Sequence, residues 1–366
     1  MMKRILGAAV MAALLAGPAL AAQNVANTSQ KGSLLIWPLV TVDPNEGRQQ
    51  STLIEISNDA AATVHVECEY INERKARVNF DFNLTAKQTA SWDVYTRKGD
   101  QVTPPIFPLG TGNPPFPGNI YRGELVCFAT SPGREFQIAW NHLTGTAIVR
   151  SGDEAGKYNA WAFAARNAGG VAAPNAIAVS HGRPGILRLT GANVDGVYDA
   201  CPAYNIAEFM PNGAELGGVT AVRNDLAVVS CFQDLRERYR INTTKLEFTI
   251  WNSLEHSFTG THYCADSIAS LRLSPLNSFL VNGDNFEYDV LRTPNARFQV
   301  RGVKASPPCP DGTRVSGLLG VLLTQLDTSD SEGTEATVGN TLHGAGALPG
   351  FVIWDPSGSV PLKASR

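Results

Sequence analysis

The chain carries little charge and, past its first residues, no long apolar run. Asp, Glu, Lys and Arg make up 17% of its 366 residues, and no basic block stands out among them. That removes the electrostatic footprint expected of a protein that binds DNA, RNA or an anionic membrane. The absence of a later stretch of 18 apolar residues argues against a membrane-spanning helix. Catalytic signatures are missing as well: there is no G-x-S-x-G, no S-x-x-K with its partner motifs, no H-E-x-x-H, no P-loop and no dinucleotide fingerprint. No C-x-x-C occurs, which excludes the usual redox dithiol and zinc knuckle. Helical periodicity is nearly absent, Ile206 to Met210 being the one short candidate run. On these grounds no catalytic residue is nominated, no cofactor is expected, and whether the chain is an enzyme stays open.

What is present begins with an export signal. Lys3 and Arg4 precede an apolar core from Ile5 to Leu15, and Ala19-Leu20-Ala21 places small residues where a signal peptidase reads them. Cleavage after Ala21 leaves a chain whose formal charge moves from −3 to −5 by loss of Lys3 and Arg4. The destination is the periplasm or the cell exterior. Cys68, Cys127, Cys201, Cys231, Cys264 and Cys309 all lie beyond the cleavage point. An even number in an exported chain reads as a disulfide set, with fifteen possible connectivities for six cysteines. The first choice pairs Cys68 with Cys127 and Cys264 with Cys309, leaving Cys201 with Cys231.

The remaining signal is a period of two. In Ser51 to Tyr70 the residues Thr52, Ile54 and Ile56, then Val64, Val66, Cys68 and Tyr70, alternate with polar neighbours. Half-buried strands impose this pattern because successive side chains point to opposite faces. Asn58-Asp59 and three alanines supply a reversal, so the stretch reads as a hairpin. A related pattern returns from Thr244 to Cys264: an alternating strand ending in Ile-x-Asn, a turn, and a second strand ending in Cys. Further strand signals fall at Val78–Leu84, Ala90–Val94, Gly123–Thr130, Glu135–Trp140, Leu226–Phe232, Phe298–Val303, Leu318–Leu326 and Phe351–Trp354. Pro38, inside the apolar run Ser33 to Val40, predicts an edge strand or a bulge. Thr103 to Gly118 holds six prolines and reads as a stiff crossover. Gln23 to Gln30 reads as a flexible leader. Residues 151–185, rich in Ala and Gly, lack the bulk for a packed core and read as a connection, with room for one strand near Tyr158 to Ala164.

The expected architecture is therefore all-β: two immunoglobulin-like β-sandwich domains with disulfides. The expected divisions are a signal peptide at 1–21, an N-terminal sandwich at 31–150, the connection at 151–185, a C-terminal sandwich at 186–355 and a tail at 356–366.

Several clusters carry candidate chemistry. His65, Glu67 and Glu69 share one strand face, but successive tips along a strand lie roughly 7 Å apart, so a solvated face is preferred over a cation site. Asp327, Asp330, Glu332 and Glu335 are the candidate oxygen ligands for a divalent cation in an acidic loop. Ser180-His181-Gly182 has no identifiable carboxylate partner. His262 shares parity with Phe258 and Cys264 and is read as core-facing. Trp251 falls on the face opposite Leu246, Phe248 and Ile250, beside His256, which makes it either covered by a partner module or exposed for binding.

Lys31-Gly32-Ser33-Leu34-Leu35-Ile36-Trp37-Pro38, Tyr198-Asp199-Ala200-Cys201-Pro202 and Phe248-Thr249-Ile250-Trp251-Asn252-Ser253-Leu254-Glu255 resemble an uncharacterised family of exported bacterial proteins. That resemblance implies export and β-rich modules and no particular activity. The functional expectation is a non-enzymatic structural or interaction protein of the bacterial envelope. It would meet other envelope or extracellular proteins by sheet-edge or surface contact, without nucleic acid and without a membrane span. The alternative is a carbohydrate- or metal-binding module or a secreted hydrolase.

Overall fold

The structure is a computed structural model that describes residues 24–43, 50–73, 76–108, 121–134, 136–151, 154–179, 185–235, 243–265, 268–304, 315–328 and 335–354. Strand accounts for 62% of the described residues and helix for almost none. The described strands form five sheets. The first runs Trp161–Phe163, Leu34–Val42, Tyr121–Thr130, Val64–Asn72, Arg77–Leu84, and the second Gly99–Asp100, Thr89–Asp93, Gln50–Asn58, Leu143–Ser151, Glu154–Asn159. A third, of strands of two to four residues, joins Ala165–Arg166, Val197–Tyr198, Ile186–Leu189, Gly350–Ile353 and Phe232–Asp234. The fourth has six strands: Leu280–Val281, Ser257–Ala265, Thr244–Asn252, Ala296–Val303, Cys201–Phe209, His343–Leu348. Glu215–Leu216, Val219–Ser230, Leu318–Thr328 and Glu335–Thr341 make the fifth, with Ile268–Arg272 also pairing to Val219–Ser230.

The all-β expectation holds; the pair of immunoglobulin-like sandwiches does not. The sheets are arranged like the blades of a four-bladed β-propeller. Two observations oppose separate sandwiches. Ser51 to Tyr70 is not a hairpin, because Gln50–Asn58 pairs with Thr89–Asp93 and Leu143–Ser151 whereas Val64–Asn72 pairs with Arg77–Leu84 and Tyr121–Thr130. The turn at Asn58 carries the chain from one sheet to another. Of the two hairpins expected from the Ile-x-Asn pattern, the one formed by Thr244–Asn252 and Ser257–Ala265 closes as an antiparallel pair. The Cys68–Cys127 bond joins directly opposed residues of neighbouring strands in one sheet, whereas an immunoglobulin cystine spans two sheets. Cys201–Cys231 is also formed; Cys309 and the Cys264 side chain lie outside the described residues.

The cores also cross the expected divisions. One is built from Trp37, Ile54, Ile56, Tyr70, Trp92 and Leu125 of the first two sheets, with Ala227 and Val321 from the fifth. The other collects Phe209, Phe248, Phe286 and Phe298 with Leu34, Ile36, Val126 and Phe128 of the first sheet. That sheet is therefore buried on both faces, and Leu34–Val42 is buried along its whole length. Its register slips between Trp37 and Val40, a bulge at Pro38, and it is an interior strand, paired on both sides. The 151–185 segment supplies strands to three sheets and places Trp161 and Phe163 in the core. Its few bulky residues fill space that its alanines leave.

The leader is docked rather than free. Val25 bridges Ala200, Asn27 bridges Ala162, and Gln30 Nε2 donates to Asp199 Oδ2 at 2.7 Å. Asp199, fully buried, also accepts from Arg166 Nε at 2.6 Å and from the Ala164 amide at 2.9 Å. The Asp199 of the Tyr-Asp-Ala-Cys-Pro segment thus ties the N-terminal stretch to the core. At the first Ile-x-Asn turn the Asn58 amide donates to the carbonyls of Ala62, Leu84 and Thr85. Its oxygen accepts from the Ala60 amide and from Trp140 Nε1, so all the polar capacity of a buried side chain is used. Next to it, burial raises the Asp59 pKa, but hydrogen bonds from Lys31 and His142 and their charges outweigh that and leave it lowered.

Candidate functional site: a tryptophan cleft on the six-stranded sheet

The Thr244–Asn252 strand shows the clearest alternation in the molecule. Leu246, Phe248 and Ile250 are fully buried, while Glu247, Thr249 and Trp251 face outward and are half-buried. The parity reading of Trp251 is thereby met, and no neighbouring sheet covers its face among the described residues. Strand register then sets its neighbours. Trp251 lies opposite Arg297, Arg297 opposite Glu208 on the next strand, and Ser257 opposite Trp251 on the other side. One polar row with an indole in it thus crosses four strands. The Arg297 guanidinium carbon sits 5.3 Å from the Trp251 ring centroid, a cation–π contact.

Two loops raise a wall at the end of this row. The Asn252 side chain organises one: its oxygen accepts from the Leu254 and His256 amides at 3.1 and 3.0 Å. Its amide donates to the Leu291 carbonyl at 2.9 Å. Ser253 N–H then donates to Thr293 Oγ1 at 3.3 Å, and that hydroxyl donates to the Asn295 carbonyl at 2.9 Å. The second loop is thereby fastened to the first. Glu255 closes the turn in the left-handed region, at φ 63°. For an L-residue with a side chain that conformation costs about 1–2 kcal/mol, the kind of local strain that collects at binding sites. The result is an open cleft of about 570 Å³ floored by Phe209 and Ala296, within the roughly 300–1,000 Å³ common for small-ligand sites. Its polar groups are Glu208, Asn252, Ser253, Glu255, Asn295 and Arg297.

The other nominated residues do not converge here. His65, Glu67 and Glu69 lie on the first sheet, and the solvated-face reading is corrected: Glu67 and Glu69 are 2% and 3% exposed. The third sheet and its surroundings cover that face, with the Phe128 and Trp354 rings 5.0 Å apart and Gln233 Nε2 donating to Glu124 Oε2 at 2.6 Å. His65 bonds to Asn83 and faces Asp81 across 3.3 Å. Among the described residues no group of three His, Cys, Asp or Glu side chains is placed to hold a metal. Of the acidic-loop candidates, Asp327 is exposed within the Leu318–Thr328 strand. Asp330, Glu332 and the Glu335 side chain lie outside the described residues, as do the His262 side chain, Ser180-His181 and residues 1–23. His256 is exposed at the turn but does not line the cleft.

Sequence reasoning found Trp251 and missed Arg297, Glu208 and Asn295. Each sits on a strand or loop distant in sequence, and no motif spacing connects them. The available signal was parity alone: Arg297, Gln299 and Arg301 alternate with Phe298 and Val300, which marks an outward polar face without saying what lies beside it.

No family model and no curated protein matches the chain. Among solved structures, the PBSX exported protein XepA aligns over 76% of this chain and 84% of its own at 11% identity, with a TM-score of 0.17. A calcium-binding mutant of Bacteroides uniformis β-glucuronidase 2 aligns over 88% of this chain but 28% of its own, at 10% identity and a TM-score of 0.14. Superpositions this loose define neither fold nor activity. The family resemblance of the three short segments gains no family model from these comparisons.

Proposed function

We propose that this chain is an exported, non-enzymatic recognition protein that holds its ligand in the Trp251 cleft. The single observation carrying the reading is a half-buried indole set among amides, a hydroxyl and charged groups on a sheet face left open. Such groups orient a bound molecule and exclude part of its water. Export is supported by the Lys3-Arg4, Ile5–Leu15 and Ala19-Leu20-Ala21 pattern and by two cystines, which form and persist in oxidising compartments. The partner belongs to the bacterial envelope or its surroundings.

Co-sedimentation of the purified mature protein with insoluble envelope fractions tests this. Trp251→Ala is expected to weaken retention about tenfold or more, the usual cost of truncating a tryptophan at the centre of a contact. Equal retention of the variant removes the reading. Release of soluble fragments from the same material, abolished by Glu255→Gln, replaces it with a secreted hydrolase.

A further inference from the structure

Resting on the recognition reading, we infer that the ligand is a neutral saccharide, one sugar ring laid on the Trp251 indole in place of the Arg297 guanidinium. An indole face needs an apolar surface with polar edges, which the C–H face of a pyranose ring supplies. Around it stand planar, multidentate groups (the Glu255 carboxylate and the Asn295 amide), each able to meet two neighbouring hydroxyls at once. Anionic ligands are disfavoured, because the lining holds two carboxylates, Glu208 and Glu255, against one guanidinium. Cationic ligands are disfavoured too: Arg297 already occupies the cation position over the ring, so a lysine or arginine from a partner would approach a like charge. A neutral polyol meets neither penalty.

Arg297 then acts as a latch. Its side chain is exposed, and an exposed cation–π contact is weak enough for a better-fitting face to displace. Glu208 stands directly opposite it on the next strand.

The fluorescence of the protein reports on this contact. Of six tryptophans, Trp37, Trp92, Trp140, Trp161 and Trp354 are buried and Trp251 alone is half-buried. Titration with cellohexaose and chitohexaose, set against oligogalacturonate and oligolysine, is expected to give a saturable emission shift with a neutral oligosaccharide only. Trp251→Ala should abolish the shift while keeping the parent thermal melt. Arg297→Ala should bind the neutral sugar about two- to five-fold more tightly, the fold-change equivalent of losing an exposed cation–π contact; weaker binding overturns the latch. A Trp251-dependent response to oligolysine or oligogalacturonate in preference overturns the saccharide assignment. So does silence with all four probes while envelope retention still needs Trp251, and in that case the recognition reading stands. Envelope retention indifferent to Trp251 removes the recognition reading itself.

Discussion

Glu255 shows how one residue can separate stability from function. It ends a four-residue turn at φ 63°, where glycine carries no Cβ penalty. Its side chain is exposed, so the fold gains little from it. Glu255→Gly is therefore expected to raise unfolding stability by about 1 kcal/mol in urea melts while weakening binding at the cleft. A loss of stability would mean that the carboxylate makes contacts outweighing the strain. Asn252 at the start of the same turn is the opposite case. Its buried amide fastens the Leu254, His256 and Leu291 backbones together, and Asn58 does equivalent work in the other half of the chain. The Ile-x-Asn likeness visible in the sequence is thus a likeness of turn chemistry. It did not extend to pairing, since one asparagine ends a hairpin strand and the other a crossing between sheets.

At the scale of elements, the first sheet decides most of the architecture. An antiparallel sheet usually leaves one face to water, and the alternation of His65, Glu67 and Glu69 with Val66, Cys68 and Tyr70 looks like such a strand. The Val64–Asn72 strand is instead buried on both faces, its carboxylates included. Cys68 and Cys127 pin it to Tyr121–Thr130 across a sequence separation of 59. In the chain-entropy account a loop of that length contributes about 4 kcal/mol, against a total of about 5–15 kcal/mol for a typical domain. The double substitution Cys68→Ala with Cys127→Ala should lower the unfolding free energy by about that amount in denaturant titrations at unchanged fluorescence of the native state. A loss below about 1 kcal/mol would show that the hydrogen-bonded ladder alone fixes this pairing.

Across the whole molecule the two halves complete one another. Leu34, Ile36, Val126 and Phe128 are buried against residues of the C-terminal half, Trp161 Nε1 donates to the Gly320 carbonyl at 3.1 Å, and Glu124 accepts from Gln233. Separating the halves would expose four large apolar side chains, each worth about 1.5–3 kcal/mol when buried, together a sum comparable with the stability of a domain. Residues 31–150 expressed alone are accordingly expected to show no cooperative thermal melt by circular dichroism. A sharp transition from that fragment would restore the picture of independent modules.

Period-two alternation sufficed to mark strands such as Arg77–Leu84 and Thr244–Asn252 and the outward side chain of Trp251, because which face a residue takes is a local property of the pleat; it left Leu143–Ser151 unmarked, and Cys201–Phe209 held the one run read as helical. Composition and punctuation sufficed for the all-β class and for the shortage of helix. Strand partners were a different matter. Many short strands of similar hydrophobicity compete for each edge, and closing a longer loop costs only about 0.6 kcal/mol more per doubling of its length, so nothing local selects one pairing. Only the folded chain decided that Gln50–Asn58 and Val64–Asn72 part company, that Glu67 and Glu69 go inside, and that Arg297 and Glu208 arrive beside Trp251. Those outcomes depend on burial summed over distant segments, which no window of the sequence contains.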